Sequence, residues 1–183
     1  TTCIPVKEMI LCDSKGAIHR DREGLNKYKQ GILSFSNPEN KKGSVQDVLE
    51  GADVFIGVSV GDLLSQADIQ KMADDPIILA MANPIPEIMP EDAYAAGAAI
   101  VGTGRSDFDN QVNNVLAFPG IFHGALRIGA KRITSKMKLA AAYALADCMP
   151  NPKKLSILPG SLNRSVVGKV SEAVAAAYDP NDV

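Results

Sequence analysis

With 183 residues, 46% of them hydrophobic and 22% charged, the chain is long enough for one substantial domain with its own core and has the balance of an ordinary globular protein. A net charge of −2 and a pI near 5.7 give no electrostatic reason to expect nucleic acid or an anionic membrane as a partner. No apolar run approaches the roughly 20 residues that span a bilayer and no secretory leader is visible; Cys3, Cys12 and Cys148, odd in number and widely spaced, suit reduced thiols, so a cytoplasmic setting is expected.

Met9-Ile10-Leu11-Cys12 reads as a short buried strand that Asp13 ends, with Ser14-Lys15-Gly16 as the turn. In a dinucleotide-binding βαβ unit, an acidic residue at the end of the second strand hydrogen-bonds the adenosine ribose. Asp13 stands in that kind of place, and a strand-end aspartate that only starts an Asx-type turn is the competing reading. Lys15 and Arg20 lie close enough in sequence to meet a 2′-phosphate instead. NAD and NADP therefore both stay open, with a lean to NAD because Asp13 would repel that phosphate. Ser36 to Lys42 is a solvated loop by composition. Ser44 then caps a short helix, with Asp47 as the acidic member of a capping box and Val45, Val48 and Leu49 facing inward.

Asp53-Val54-Phe55-Ile56-Gly57-Val58-Ser59 is the clearest strand, apolar and β-branched as strands buried on both faces of a parallel sheet are. Gly57, Val58, Ser59 and Gly61 fall at its carboxyl end, where ligands bind in open α/β sheets and where glycine permits close backbone approach; a plain strand-to-helix turn is the alternative. A helix over 63–73 follows, packed through Leu64, Ile69 and Met72. Pro76 to Ala82 is the next buried strand. Its tip, Asn83-Pro84-Ile85-Pro86, holds an amide rigidly between prolines, as a cofactor or substrate contact or simply as a strand stop. Pro90 to Ala96 is a helix with Glu91 and Asp92 at its positive end, and Gly97 closes it. Ala98 to Gly102 is a further strand. Regular alternation of strand and helix predicts an α/β, doubly wound, right-handed parallel sheet of Rossmann type.

Gly104 to Gly120, GRSDFDNQVNNVLAFPG, is densely polar, turns apolar at Val115-Leu116-Ala117-Phe118 and stops at Pro119-Gly120. The residues suit either a ligand-lining loop entering a buried helix or a helix start rich in capping residues. Asn113 and Asn114 both donate and accept hydrogen bonds, which fits a small oxygen-rich ligand. Helices then dominate: 121–128, an amphipathic stretch over 132–148, and a last helix from Ser165 with Val166, Val170, Ala173, Val174 and Ala177 on one face. The residues from Asp179 onward read as a frayed tail. His19 and His123 are too far apart to suggest a zinc site. Lys136 and Lys138 read as solvated.

Three segments carry a resemblance: Asp13-Ser14-Lys15-Gly16, Met81-Ala82-Asn83-Pro84-Ile85-Pro86-Glu87-Ile88, and GRSDFDNQVNNVLAFPGIFHGAL from Gly104. Together they resemble malic enzymes, closest to the bacterial branch, over about Met9 to Ala177. The resemblance implies oxidative decarboxylation of malate to pyruvate with NAD or NADP. It places the dinucleotide against Gly57, Val58 and Ser59, sets Asn83 between the nicotinamide ribose and malate, and gives Asn113 and Asn114 the substrate carboxylate. Asp109 stands where proline is usual in the family, and His123 where arginine is usual.

The same resemblance implies that much of the enzyme lies elsewhere. The family's metal carboxylates for Mg or Mn, its catalytic lysine and its tyrosine all precede the position of Thr1, so neither a catalytic nor a metal-binding residue is assigned in this chain. A Gly-x-Gly-x-x-Gly turn belongs roughly 20 residues before the ribose-binding acid, yet Thr1 to Cys12 contain no glycine. Residues 1–183 are thus expected to be an NAD(P)-binding domain lacking its first strand, completed by a missing N-terminal part or a second chain and belonging to a homo-oligomer. A catalytically silent nucleotide-binding or assembly module, and half of another Rossmann-type dehydrogenase, are the alternatives.

Overall fold

The computed structural model describes residues 6–161 and 163–180, so Cys3 and the last three residues of the expected frayed tail lie outside the described residues. In chain order, β1 (Cys12–Asp13) pairs antiparallel with β2 (Gly16–Ala17). Next come α1 (Lys27–Ile32) and α2 (Val45–Val48). Then β3 (Val54–Gly57), α3 (Gln66–Ile69), β4 (Ile77–Ala80), α4 (Pro90–Ala95) and β5 (Ile100–Thr103) alternate. A 3-10 turn at Asn114–Leu116 leads into α5 (Phe118–Arg127), α6 (Ser135–Ala146) and α7 (Arg164–Ala176).

The central sheet runs β3-β4-β5, all parallel and in step, from Val54–Ile77–Ile100 to Gly57–Ala80–Thr103. The expected alternation of strand and helix therefore holds, because parallel neighbours need a crossover between them. Phe55, Ile78, Ala80 and Val101 bury one sheet face against Leu49, Leu64, Ile69, Met72, Ala93 and Ala98. The short helices are fixed locally. Ser44 and Asp47 close the expected capping box, and Ser65 and Asp68 close a second. Burial pushes the Asp68 carboxyl up, but hydrogen bonds from the Ser65 hydroxyl and amide outweigh it and hold it below its ordinary range. Pro90 sits in the first turn of α4, and Gly97, with φ at +106°, ends it.

Several elements differ from the sequence reading. Met9 to Cys12 is not the short buried strand expected: Met9 is exposed, Ile10 to Cys12 are half-buried, and only Cys12 and Asp13 pair, within the small hairpin, since no other described strand lies alongside. β3 is buried on one face only, leaving Val54 46%, Ile56 62% and Val58 77% exposed. The helix expected over 63–73 shrinks to α3, because the Lys71 carbonyl and the Ala73 amide bond to Gly51 and Ala52 instead of continuing the turn. Helix α1 went unforeseen; Asn26 caps it by accepting from the amides of Tyr28 and Lys29. Ser36 and Asn37 are not solvated: both are buried, and Asn37 Nδ2 donates to the carbonyls of Ile18 and Lys41. The helix expected over 121–128 starts earlier, at Phe118, with Pro119 in its first turn, where a missing N–H is harmless.

The helical end forms a second core around Ala125, Met137, Ala141, Val166, Val170 and Val174. Thr134 caps α6 and Asn163 caps α7, which starts at Arg164, one residue before the expected Ser165. Gly124 lets α5 and α7 touch: a Cβ there would sit 2.5 Å from the Ser171 carbonyl. His123 Nδ1 lies 2.8 Å from Ser171 Oγ across the same seam. Among the described residues, no helix is long and apolar enough to cross a membrane.

Candidate functional site

Parallel strands end at the same edge, so the loops after β3, β4 and β5 meet there. Gly61 follows β3, and a Cβ on it would sit 2.7 Å from that of Ile85 in the loop after β4. The Asp62 amide donates to the Pro86 carbonyl at 3.0 Å, and the Leu64 amide to the Glu87 carbonyl at 2.8 Å. The loops after β4 and β5 also touch. A Cβ on Gly104 would stand 2.9 Å from Asn83 Nδ2, and Arg105 Nη1 donates to the Pro84 carbonyl at 3.4 Å. Asn83 itself is exposed.

The loop after β5 doubles back along its own strand. The Val112 amide donates to the Thr103 carbonyl at 2.7 Å, and Gln111 bridges Thr103 in parallel sense. Asn110 anchors this return from a buried position. Its Nδ2 donates to the carbonyls of Val101 and Lys154, its Oδ1 accepts from the Ile157 amide, and its φ is +54°. Asn113 is therefore delivered one residue past the end of β5's pairing. Its Oδ1 accepts from the Val115 amide at 3.0 Å, capping the 3-10 turn that the exposed Asn114 begins. The capping reading of this stretch holds, with Asn113 as the cap, and it sits in a loop that returns to the end of β5. Arg105 is paired with Asp107 by two hydrogen bonds, 2.9 and 2.6 Å. The bond from Arg105 holds the Asp107 carboxyl below its ordinary range.

Asp13, Ser14 and Lys15 lie on the separate hairpin. It is tied to the segment leading into α2 through Gly43, whose carbonyl accepts from the Ala17 amide at 2.8 Å, and α2 in turn is tied to the segment between β3 and α3, where Gln46 Nε2 donates to the carbonyl of Leu63. The Asp13 carboxylate is occupied. Arg22 Nη2 reaches both oxygens at 2.6 and 2.8 Å, the Lys15 amide donates at 2.8 Å, and Lys29 pairs with Oδ2. Burial pushes this carboxyl up, yet the hydrogen bonds from Lys29, the Lys15 amide and Arg22 together hold it far below the usual carboxylate range. Cys12 beside it goes the other way: burial and then the Asp13 charge raise its thiol.

The structure thus gathers Gly57, Val58, Ser59, Asn83 and the Gly104 loop at one sheet edge, sets Asn113 and Asn114 just beyond β5, and links the Asp13 hairpin to them through α2. Three contributors escaped the sequence reading. Arg22 and Lys29 carry no motif and meet Asp13 only in space. Glu87 was visible as a lone acid in the run Pro84-Ile85-Pro86-Glu87-Ile88, and it is fully buried. Among the described residues, no three His, Cys, Asp or Glu side chains are placed to hold one metal ion. The donor set of amides, backbone N–H groups and paired cations fits a dinucleotide and does not fit a divalent cation.

The family model described as the malic enzyme NAD binding domain matches residues 5–178. The chain belongs to the malic enzyme family. It is 52% identical over 175 residues to the bifunctional malic/malolactic enzyme of Bacillus subtilis (strain 168), a match covering 94% of this chain and 43% of that protein. It is 51% identical over 176 residues to the NAD-dependent malic enzyme of Geobacillus stearothermophilus, covering 94% and 37%. The NADP-dependent malic enzyme of Escherichia coli (strain K12) is 42% identical over 96% of this chain and 21% of its own length. The crystal structure of the NAD-dependent malic enzyme from Thermotoga maritima superposes with a TM-score of 0.88 at 45% identity, covering 93% of this chain and 45% of that one. The chain therefore spans less than half the length of these malic enzymes, and the fold it shares with the solved one is the Rossmann-type NAD-binding part.

Proposed function

We propose that this chain binds a nicotinamide dinucleotide at the carboxyl ends of β3, β4 and β5, and that it serves the oxidative decarboxylation of malate to pyruvate and CO2 within a longer protein. The observation that carries this reading is the meeting of three strand-end loops with Asn83 seated against Gly104, at the edge where open α/β sheets bind ligands. Asp13, Ser14 and Lys15 take the adenosine ribose. Gly57, Val58 and Ser59 run beside the dinucleotide. Asn83 spans the nicotinamide ribose and the substrate, donating to one while accepting from the other. Asn113 and Asn114 hold the substrate carboxylate, at about 1.5–3 kcal/mol for each hydrogen bond to the charged group. When bound, the nicotinamide supplies a hydride acceptor, and Mg or Mn, held by residues outside this chain, supplies polarisation of the product ketone. No group of this chain is assigned the proton transfers.

Among the described residues β3 has one unpaired edge and one uncovered face, and these support a second part of the proposal. A strand and a helix from the rest of the longer protein cover them, because unpaired edge groups and apolar β-branched side chains are otherwise left in water. The complete protein is a homo-oligomer in a cytoplasmic setting. Calorimetric titration of the chain with NAD, NADP and malate tests the binding claim. Dinucleotide binding without turnover is the expected result, and silence with both dinucleotides refutes it. Gel filtration with a thermal melt tests completion: a stable lone monomer with a cooperative melt counts against it.

A further inference from the structure

Glu87 is fully buried and faces no cation within ion-pair distance among the described residues. Its Oε1 accepts from the Ser59 amide at 2.8 Å and the Ser59 hydroxyl at 3.3 Å. Its Oε2 accepts from the Ala82 amide at 3.0 Å. The first pair belongs to the loop after β3, the last to the loop after β4, so one carboxylate spans the two loops that present Val58, Ser59 and Asn83. Gly57 is part of the same arrangement: a Cβ on it would collide with the Glu87 carboxyl. A buried carboxylate is tolerated when several neutral donors replace its hydration, and hydrogen bonds to an ion are stronger than those between neutral groups.

We infer that Glu87 is a positioning residue for the coenzyme: its carboxylate fixes the loops after β3 and β4 in mutual register, so that the backbone at Ser59 and the amide of Asn83 stand ready for the dinucleotide. The inference rests on the proposed coenzyme site. Both carboxylate oxygens accept, which a carboxamide cannot imitate. In Glu87→Gln one end of the side chain becomes an NH2 group facing either the Ser59 or the Ala82 amide, donor against donor. Glu87→Asp withdraws the same group by one methylene and spans the gap poorly.

Hydrogen exchange and dinucleotide titration, run on the wild-type chain and on both variants, test this. In the wild type, the amides of Ser59 and Ala82 exchange as slowly as the sheet amides of Ile78 and Val101, although both lie in loops; fast exchange at these two positions overturns the inference without any variant. In Glu87→Gln, protection at Ser59 and Ala82 falls while Ile78 and Val101 keep theirs, and dinucleotide affinity drops about ten-fold, because binding must then order loops that Glu87 no longer holds. Unchanged affinity with unchanged protection overturns it. Equal loss of protection across the sheet overturns it too, since Glu87 would then hold the fold and not the site. A wild-type chain that binds neither dinucleotide removes the coenzyme reading, while its exchange pattern still decides whether Glu87 ties the loops.

Discussion

Every lone-pair direction of Asp13 is already occupied by Arg22, Lys29 or the Lys15 amide. A ribose diol can accept this aspartate as its partner only by displacing a donor, and Lys29, the more exposed of the two cations, is the one that yields. Replacing Lys29 by Ala frees an oxygen for the ribose and removes a cation that a 2′-phosphate would meet. The expected outcome is a several-fold shift of preference toward NAD in parallel titrations with NAD and NADP; an unchanged ratio places Asp13 away from the ribose. The depressed Asp13 carboxyl also sets a pH dependence. Because its proton affinity is lower folded than unfolded, the stability it confers is full above the ordinary carboxylate range and fades as pH falls below about 4. Melts of Asp13→Asn against wild type should show a gap at neutral pH that narrows in acid. Asn113 and Asn114 separate by a similar test. Asn113 caps a turn, so Asn113→Ala lowers stability by about 1 kcal/mol as well as raising the malate KM or lowering kcat in a complete enzyme. Asn114→Ala, outside the cap, should change the malate kinetics alone; unchanged kinetics for both would remove them from the substrate site.

Secondary elements followed the sequence where local chemistry decides them. The Ser44 and Asp47 capping box, Pro90 and Gly97 around α4, and the apolar runs of β4 and β5 were all readable, because each acts within a few residues. The failures at this scale are equally physical. β3 has the composition of a doubly buried strand, but composition cannot show that no described helix covers Val54, Ile56 and Val58. Ser36 and Asn37 look like surface residues, yet the side-chain amide of Asn37 satisfies backbone groups of distant segments and so can be buried. The α5–α7 seam offers a direct check. Gly124→Ala places a Cβ against the Ser171 carbonyl and Val174, and overpacking of this kind lowers stability by about 1–3 kcal/mol, measurable as a fall in melting temperature. No loss would mean that the two helices pack more loosely than the structure shows.

Among the described residues two hydrophobic cores stand out, one under the sheet and one among α5, α6 and α7, and the proposed coenzyme edge borders the first. A dinucleotide that binds only the folded chain should raise its stability by about 2.7 kcal/mol at a hundred times its Kd, read as an upward shift in melting temperature that malate alone does not give. The sequence by itself determined the α/β class, the alternation of strand and helix from α2 to β5, the family and the kinds of side chain at the strand ends, since periodicity, capping and motif residues act over short spans. Only the tertiary structure decided which of those side chains meet. The Asp13 clamp of Arg22 and Lys29, the loop tie through Glu87 and the bare face of β3 all depend on groups distant in sequence, and a linear pattern carries no distances between them.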